Sequence, residues 1–251
     1  MQENYAEFAE IYTAGSYPAY SRYMANRLPD LLGQLNHRAR SILDLACGEG
    51  TFGLEASELG FEVVGVDKSE EMVKIAREKA KENDGDVRFF QGDMRNLSLD
   101  AEFDLVTSWF DSMNYMLTAY DLREALKSAY SSLRGGGYFV FDMNTVYGLK
   151  EEWQQEESYV QRDDPDLFEV HRTDYRPSRK IAELKITFFQ RDGERWEKHE
   201  EIHKERGYEL EEVKRLASEV GFHVEDVWDD LEGFNPPEDD SGRIWIALRK
   251  D

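Results

Sequence analysis

Apolar positions along this chain follow two alternating periods. Short runs rich in β-branched residues fall at residues 41–45, 62–66, 87–90, 103–107 and 137–142, the length and make-up of buried strands. Helical patterns lie between them. Over 69–81, Met72, Ile75, Ala76, Lys79 and Ala80 recur at helical spacing. A second helix is predicted at 121–133, brought to a stop by Arg134-Gly135-Gly136-Gly137. Strand and helix in that rhythm predict right-handed crossovers and a parallel sheet. The stretch before residue 41 is predicted helical and is rich in tyrosine (Tyr5, Tyr12, Tyr17, Tyr20, Tyr23).

The rhythm breaks after Asn144. From about residue 146 to 206 the sequence is polar, aromatic and alternating. Runs at 181–190 and 194–202 flank Asp192-Gly193, a pair that favours a two-residue hairpin turn. Residues 167–175 read as a third antiparallel strand. A helix at 209–220 with Gly221 as its stop follows, then strands at 222–228 and 243–248, separated by a loop carrying Asn235-Pro236-Pro237. The predicted partition is a core over 1–145, an antiparallel insert over 146–206, and completion of the core over 207–251.

Composition narrows the chemistry. At 251 residues the chain suits one domain with an elaboration, and 40% hydrophobic with 13% aromatic residues exclude a disordered or fibrous chain. The single cysteine, Cys47, excludes a disulfide framework and a multi-cysteine zinc site, and no metal is expected. There are 53 Asp and Glu against 31 Lys and Arg, a net charge of −22. Such a field repels phosphates, so nucleic acid is disfavoured as a partner; solubility is the plainer reading of the acidity. No apolar run approaches the roughly 20 residues of a membrane span. Met1-Gln2-Glu3-Asn4-Tyr5 has neither a basic nor an apolar leader region, so the chain reads as cytoplasmic.

The most informative stretch is Asp44-Leu45-Ala46-Cys47-Gly48-Glu49-Gly50-Thr51-Phe52-Gly53, a buried strand entering a glycine turn and then a helix. The glycines let the backbone turn sharply and let a ligand approach without a Cβ in the way, and free amides at the next helix start face that ligand. Asp67 ends the following strand, where an acidic residue grips ribose hydroxyls. Gly48-x-Gly50-x-x-Gly53 matches the dinucleotide fingerprint, which makes an NAD-dependent oxidoreductase a rival. Three features favour another nucleoside. Asp44 stands where a dinucleotide site has an apolar strand residue. A second acidic position, Asp93, follows the third strand in Gln91-Gly92-Asp93-Met94, placed to accept from an adenine amino group. The chain also ends in a helix and two strands rather than another parallel half.

These motifs, in this order, resemble the class I S-adenosylmethionine-dependent methyltransferases. Asp44-Leu45-Ala46-Cys47-Gly48-Glu49-Gly50 looks like their first motif, Asp67-Lys68-Ser69-Glu70-Glu71-Met72 like the second and Gln91-Gly92-Asp93-Met94-Arg95 like the third. Phe103 to Ser108 resembles their fourth strand, and Leu133 to Val140 their fifth. The resemblance covers about residues 36–145 and 206–249. Its one departure is Ala46 in place of the first glycine, and alanine too lets the backbone pass close. The implied fold is α/β: a Rossmann-like, doubly wound, seven-stranded sheet with an antiparallel last strand, capped by the inserted antiparallel sheet. The implied cofactor is S-adenosylmethionine, with S-adenosylhomocysteine as product. Backbone around Ala46, Cys47 and Gly48 would meet its methionine end, and Asp67 its ribose. Lys68 and Met72 would flank the adenine, and Asp93 would read its amino group beside Met94. Ser108, Trp109 and Phe110 would line the sulfonium side, and Tyr20, Asp44, Gly50 and Gly92 complete the set. Within the family, the insert and the tyrosine-rich N-terminal helix resemble the branch that methylates small molecules, amino-sugar and glycine N-methyltransferases among them.

Methyl transfer from a sulfonium is an in-line displacement, so the enzyme chiefly aligns the acceptor and excludes water. An acceptor amine or hydroxyl also has a proton to lose. Candidates for that role are Asp111, Tyr115 and His203, with Glu200 and Tyr12 or Tyr20 as positioning groups. The insert is expected to cap a small-molecule acceptor, and its acidic, aromatic make-up suits an amine. His199-Glu200-Glu201-Ile202-His203 spells a metalloprotease pattern, which needs a helix. Here it follows a hairpin turn, and in a strand the histidines would stand about 13 Å apart. Two further readings are a methyltransferase of protein or RNA and a cofactor-binding regulator without turnover. Monomer and homodimer are both open.

Overall fold

The computed structural model describes residues 8–82, 85–99 and 102–251; Tyr5 and the leader residues considered above lie outside them. Two helices, α1 (Ala9–Ala14) and α2 (Pro18–Gln34), come first. β1 (Ser41–Leu45), α3 (Thr51–Glu58), β2 (Glu62–Asp67), α4 (Glu70–Ala80), β3 (Val87–Gln91), β4 (Phe103–Ser108), α5 (Ala119–Ser132) and β5 (Leu133–Asn144) then follow. A four-stranded meander comes next: β6 (Ser158–Asp164), β7 (Leu167–Arg176), β8 (Ile181–Asp192) and β9 (Arg195–Arg206). The chain ends with α6 (Leu210–Val220), β10 (His223–Trp228) and β11 (Arg243–Arg249).

The main sheet runs β10-β11-β5-β4-β1-β2-β3. β1 to β5 are parallel, and β11 lies antiparallel between β5 and β10. Successive residues of each central strand feed opposite faces, as the pleat requires. Leu43, Leu45, Val106, Phe139 and Phe141 pack with α5 and α6. Ile42, Leu105, Val140 and Trp245 pack with α2 and α3. Burial on both faces explains why these strands are near-continuous apolar runs. The fold is the Rossmann-like, doubly wound sheet with a separate antiparallel sheet that the motifs implied.

Three local expectations change. β6 was not expected: all but one of its residues are exposed, so it has no apolar alternation, and its ladder to β7 alone makes it a strand. The glycines after α5 do not simply stop a helix. β5 already begins at Leu133, paired with Phe103, and the register then slips before Leu105 meets Tyr138. Gly136 takes φ +80 within that irregularity, and a Cβ on Gly137 would lie 3.0 Å from the Asp104 carbonyl. The hairpin turn also sits one residue later than expected. Asp192 pairs with Arg195, leaving Gly193-Glu194 as the loop with only Gly193 at positive φ, the pattern of a turn with glycine first.

The second sheet is tied to the first beneath β9. The Asn114 amide, buried just after β4, donates to the carbonyls of Asn144 and Arg206 at 2.9 Å each and accepts from the Asn144 amide at 2.9 Å. At the other end, the Phe8 amide donates to Glu201 Oε1 at 3.0 Å. Phe8, Ile11 and Tyr12 of the N-terminal segment join Leu167, Ile186 and Phe188 of the sheet in one apolar cluster. The inner face of the second sheet is thus roofed over the carboxyl end of the first.

Candidate active site

The ends of β1, β2, β3 and β4 stand side by side: Leu45 is opposite Val66, Asp67 opposite Gln91, and Asp44 opposite Thr107. In an open α/β sheet this edge is where ligands bind. The turn after β1 is left-handed at Ala46 (φ +59), Gly48 (+55) and Gly50 (+86). Ala46 is therefore a departure in conformation and not only in size, since an L residue there costs about 1–2 kcal/mol. The two glycines do different work. A Cβ on Gly50 would strike the Phe89 ring at 2.7 Å and Ala76 at 2.8 Å, whereas one on Gly48 would meet nothing within 4 Å. Gly50 serves the protein's own packing, and Gly48 leaves space above the turn.

Two carboxyls brace this turn. The Asp67 oxygens accept from the amides of Gly48 and Ser69, both at 2.8 Å, and burial holds its pKa above the usual range against those bonds. Asp44, 2% exposed, accepts from the Thr107 hydroxyl at 2.8 Å, and burial pushes its pKa up to about 8. Cys47 between them is buried. Burial and the neighbouring carboxylates push its thiol up, which removes it as a nucleophile.

The remaining expected cofactor residues border the same edge, with differing surroundings. Ser108, fully buried at the end of β4, has a hydroxyl with no partner among the described residues, as does the Trp109 indole N–H. Trp109 itself packs in the core against Phe52 at 5.6 Å, and Met72 is 2% exposed among Phe8, Ile11 and Tyr12. Lys68 is exposed. Asp93 is held by Arg95, whose Nε and Nη2 lie 3.0 and 2.6 Å from its two oxygens, and Arg95 reaches on to Asp121 at 2.8 Å. That pairing lowers the Asp93 pKa. Gly92 sits where a Cβ would be 2.9 Å from Val66, with Met94 partly buried beside it. Tyr20 of α2 stacks on Phe110 at 4.9 Å. These residues supply a carboxyl at the end of β2, an open glycine turn and a polar orphan, which fits a nucleoside with a charged tail.

A cavity of about 570 Å³ lies between this edge and the second sheet. Asp111, Tyr115 and His203, distant in sequence, all line it, as do Tyr12 and Tyr17. Tyr115 Oη and His203 Nδ1 are 2.8 Å apart, and His203 Nε2 faces Glu201 Oε2 at 3.2 Å. Glu200 is not part of the group. It pairs with Lys185 and Lys198 on the outer face of the sheet, because neighbours along a strand point to opposite sides. The metalloprotease pattern is likewise dissolved: 199–203 lies in β9, with His199 stacked on Phe188 at 4.9 Å. No group of metal-ligating side chains occurs among the described residues.

Sequence reasoning missed the residues around Asp111. Phe110 and Asp111 both hold left-handed backbone, φ +57 and +54, and their amides donate to the two oxygens of buried Asp142 at 2.7 and 3.0 Å. Arg243 of β11 pairs with Asp142 and lies 3.5 Å from Asp111 Oδ1. Asn144 donates through Nδ2 to Asp111 Oδ2 at 2.7 Å and to Glu205 Oε2 at 2.8 Å. A signal for Glu205 was present: Glu201, His203 and Glu205 alternate along β9 and so share its inner face. A matching Glu169 and His171 stand on β7, with Nε2 to Oε1 at 2.6 Å and the Tyr17 hydroxyl donating to Glu169 at 2.5 Å.

Comparison with known proteins agrees with this geometry. Residues 42–137 match the methyltransferase domain family. YqeM of Bacillus subtilis (strain 168), which carries a provisional methyltransferase name, is 29% identical over 98% of this chain and 97% of its own. The dTDP-3-amino-3,4,6-trideoxy-alpha-D-glucopyranose N,N-dimethyltransferase of Streptomyces venezuelae is 33% identical over 47% of this chain and 48% of that one. The crystal structure of an S-adenosylmethionine-dependent methyltransferase from Clostridium acetobutylicum ATCC 824 superposes with a TM-score of 0.84, at 26% identity over 99% of both chains. The ordered motifs, the sheet with its reversed β11 and these likenesses agree, and together they support a class I S-adenosylmethionine-dependent methyltransferase.

Proposed function

We propose that this enzyme methylates a small, amine-bearing acceptor held in the cavity beneath the second sheet. One observation carries the reading: the cavity beneath that sheet is sized for a small molecule and is lined by carboxyls among aromatic rings. Carboxylates and ring faces together favour a cation and its apolar skeleton. The similarity to an amino-sugar N,N-dimethyltransferase supports the same class of acceptor. Bound cofactor supplies an electrophilic methyl group. In this reading Asp67 takes the ribose hydroxyls, the turn 46–48 and Asp44 meet the methionine end, and Ser108 gains a partner near the sulfonium. Asp93 and Met94 border the adenine, with Asp93 held rigid by Arg95.

The first test is calorimetric titration with S-adenosylhomocysteine beside NAD+. Micromolar binding of the former and none of the latter is expected, and the reverse result would restore the dinucleotide reading. Asp67→Ala should weaken S-adenosylhomocysteine by about 1–3 kcal/mol, the loss of charge-assisted hydrogen bonds; an unchanged dissociation constant would remove Asp67 from the ribose. Radiolabelled methyl transfer then separates acceptors. Glycine, sarcosine and a dTDP-linked amino sugar form one panel, bulk RNA and denatured protein another. Transfer confined to the macromolecules would overturn the small-molecule reading.

A further inference from the structure

We propose that Asp111 and Glu205 form a carboxyl pair that takes the proton lost by the acceptor nitrogen. The inference rests on the amine reading above and adds the group that receives the proton. Its basis is geometric. Both side chains are buried, 7% and 3% exposed, and both line the cavity. The single Asn144 amide nitrogen donates to both, at 2.7 Å to Asp111 and 2.8 Å to Glu205, which holds the two carboxyls side by side. Two carboxylates so close repel each other when both are ionised, which favours the uptake of one proton between them. Burial first, and Asp111 second, push Glu205 well above the usual carboxylate range.

The backbone is built to hold this arrangement. Asp111 sits in a strained left-handed pair of residues that Asp142 pins through two amides. Strain kept at a cavity wall marks a position fixed for use. The charged and titratable groups facing the pair come from several elements. Arg243 of β11 lies 3.5 Å from Asp111 and is itself paired with Asp142 of β5, while the ring of Tyr20 of α2 lies under its guanidinium at 5.3 Å. His203 and Tyr115 continue the wall. Asp142 largely occupies Arg243, leaving the pair free to accept a proton.

The step balances. An incoming ammonium gives one proton to the doubly ionised pair, which becomes singly protonated. The freed nitrogen lone pair forms the new N–C bond as the C–S bond breaks with its electrons on sulfur. Positive charge returning to nitrogen is opposed by the one negative charge left on the pair.

The test has two arms. In the first, carboxyl-¹³C aspartate and glutamate are titrated by NMR in the wild-type complex with S-adenosylhomocysteine, without acceptor. Among the titrating carboxyls, one pair should share a transition above the usual carboxylate range, lost in both Glu205→Gln and Asp111→Asn. If that transition is missing, or survives both substitutions, the pair is overturned whatever the acceptor proves to be. In the second arm, whichever amine of the panel is methylated is followed against pH. Each single variant should lower kcat about 10²-fold and move the acid limb of kcat/KM to lower pH, with S-adenosylhomocysteine affinity and melting temperature retained; Glu205→Asp should recover part of the rate. Full kcat in both variants overturns the proton role. A wild type that methylates none of the amines overturns both the amine reading and that role, while the first arm still decides the shared proton.

Discussion

Replacing Asp142 by alanine should lower the stability of the fold by about 3–5 kcal/mol, the scale set by stripping one partner from a buried ion pair. Asp142 is fully buried in β5 and does three things at once. It neutralises Arg243, and its two oxygens hold the amides of Phe110 and Asp111. Those two residues occupy left-handed backbone, each at about 1–2 kcal/mol, a strain that the two bonds to a charged acceptor offset. Alanine removes the offset and leaves the guanidinium, 23% exposed, partly desolvated without its carboxylate. Asp142→Asn keeps one acceptor and should lose roughly half as much. Urea unfolding with unchanged slope would measure both. A loss under 1 kcal/mol in the alanine variant would show that Asp111, 3.5 Å away, takes over the guanidinium and that the bend after β4 holds itself.

How much of this was legible in the sequence depends on whether local chemistry or distant pairing sets the element. The main sheet was readable because its strands are buried on both faces and therefore apolar throughout, as in Val63-Val64 of β2 or Phe139-Val140-Phe141 of β5. The turn after β1 was readable because left-handed backbone selects glycine at 48 and 50. Ala46 was misjudged for the same reason, since its cost lies in φ, which residue size does not reveal. β6 was invisible because its residues are exposed and only β7 orders them.

The site divides in the same way. Asp111, Tyr115 and His203 were named from their chemistry, and folding brings them to one cavity. Glu200 was named with them and faces outward, because one residue of strand register reverses a side chain. Asn144 and Arg243 carry no motif, and the alternation that sets Glu205 on the inner face of β9 names no partner for it. Their meeting depends on β5, β9 and β11 arriving together, and no spacing along the chain encodes that.

Asp44 gives the cofactor-free enzyme a strong pH dependence of stability. Burial raises its carboxyl from 3.8 to about 8 in the folded state, against an ordinary value in the unfolded chain. A raised folded value means stability that is fully present below the unfolded pKa and lost as pH rises towards the folded one. Between about pH 4 and 8 this carboxyl should therefore withdraw about 1.4 kcal/mol of stability per pH unit at most. Above that range its contribution is flat. Asp44→Asn keeps a side-chain acceptor for the Thr107 hydroxyl, now bonded at 2.8 Å, and removes the ionisation. The stability difference between variant and wild type should grow in the variant's favour from pH 5 to 8, whatever the other carboxyls contribute to each curve. Denaturant midpoints at four pH values would show it; a difference independent of pH would mean that Asp44 stays ionised in the fold. If Asp44 meets the methionine end as proposed, the same variant should bind S-adenosylhomocysteine less tightly, since the amide cannot offer a negative charge to an ammonium. A more stable protein with a weaker site is what a carboxyl kept buried for a cationic ligand predicts.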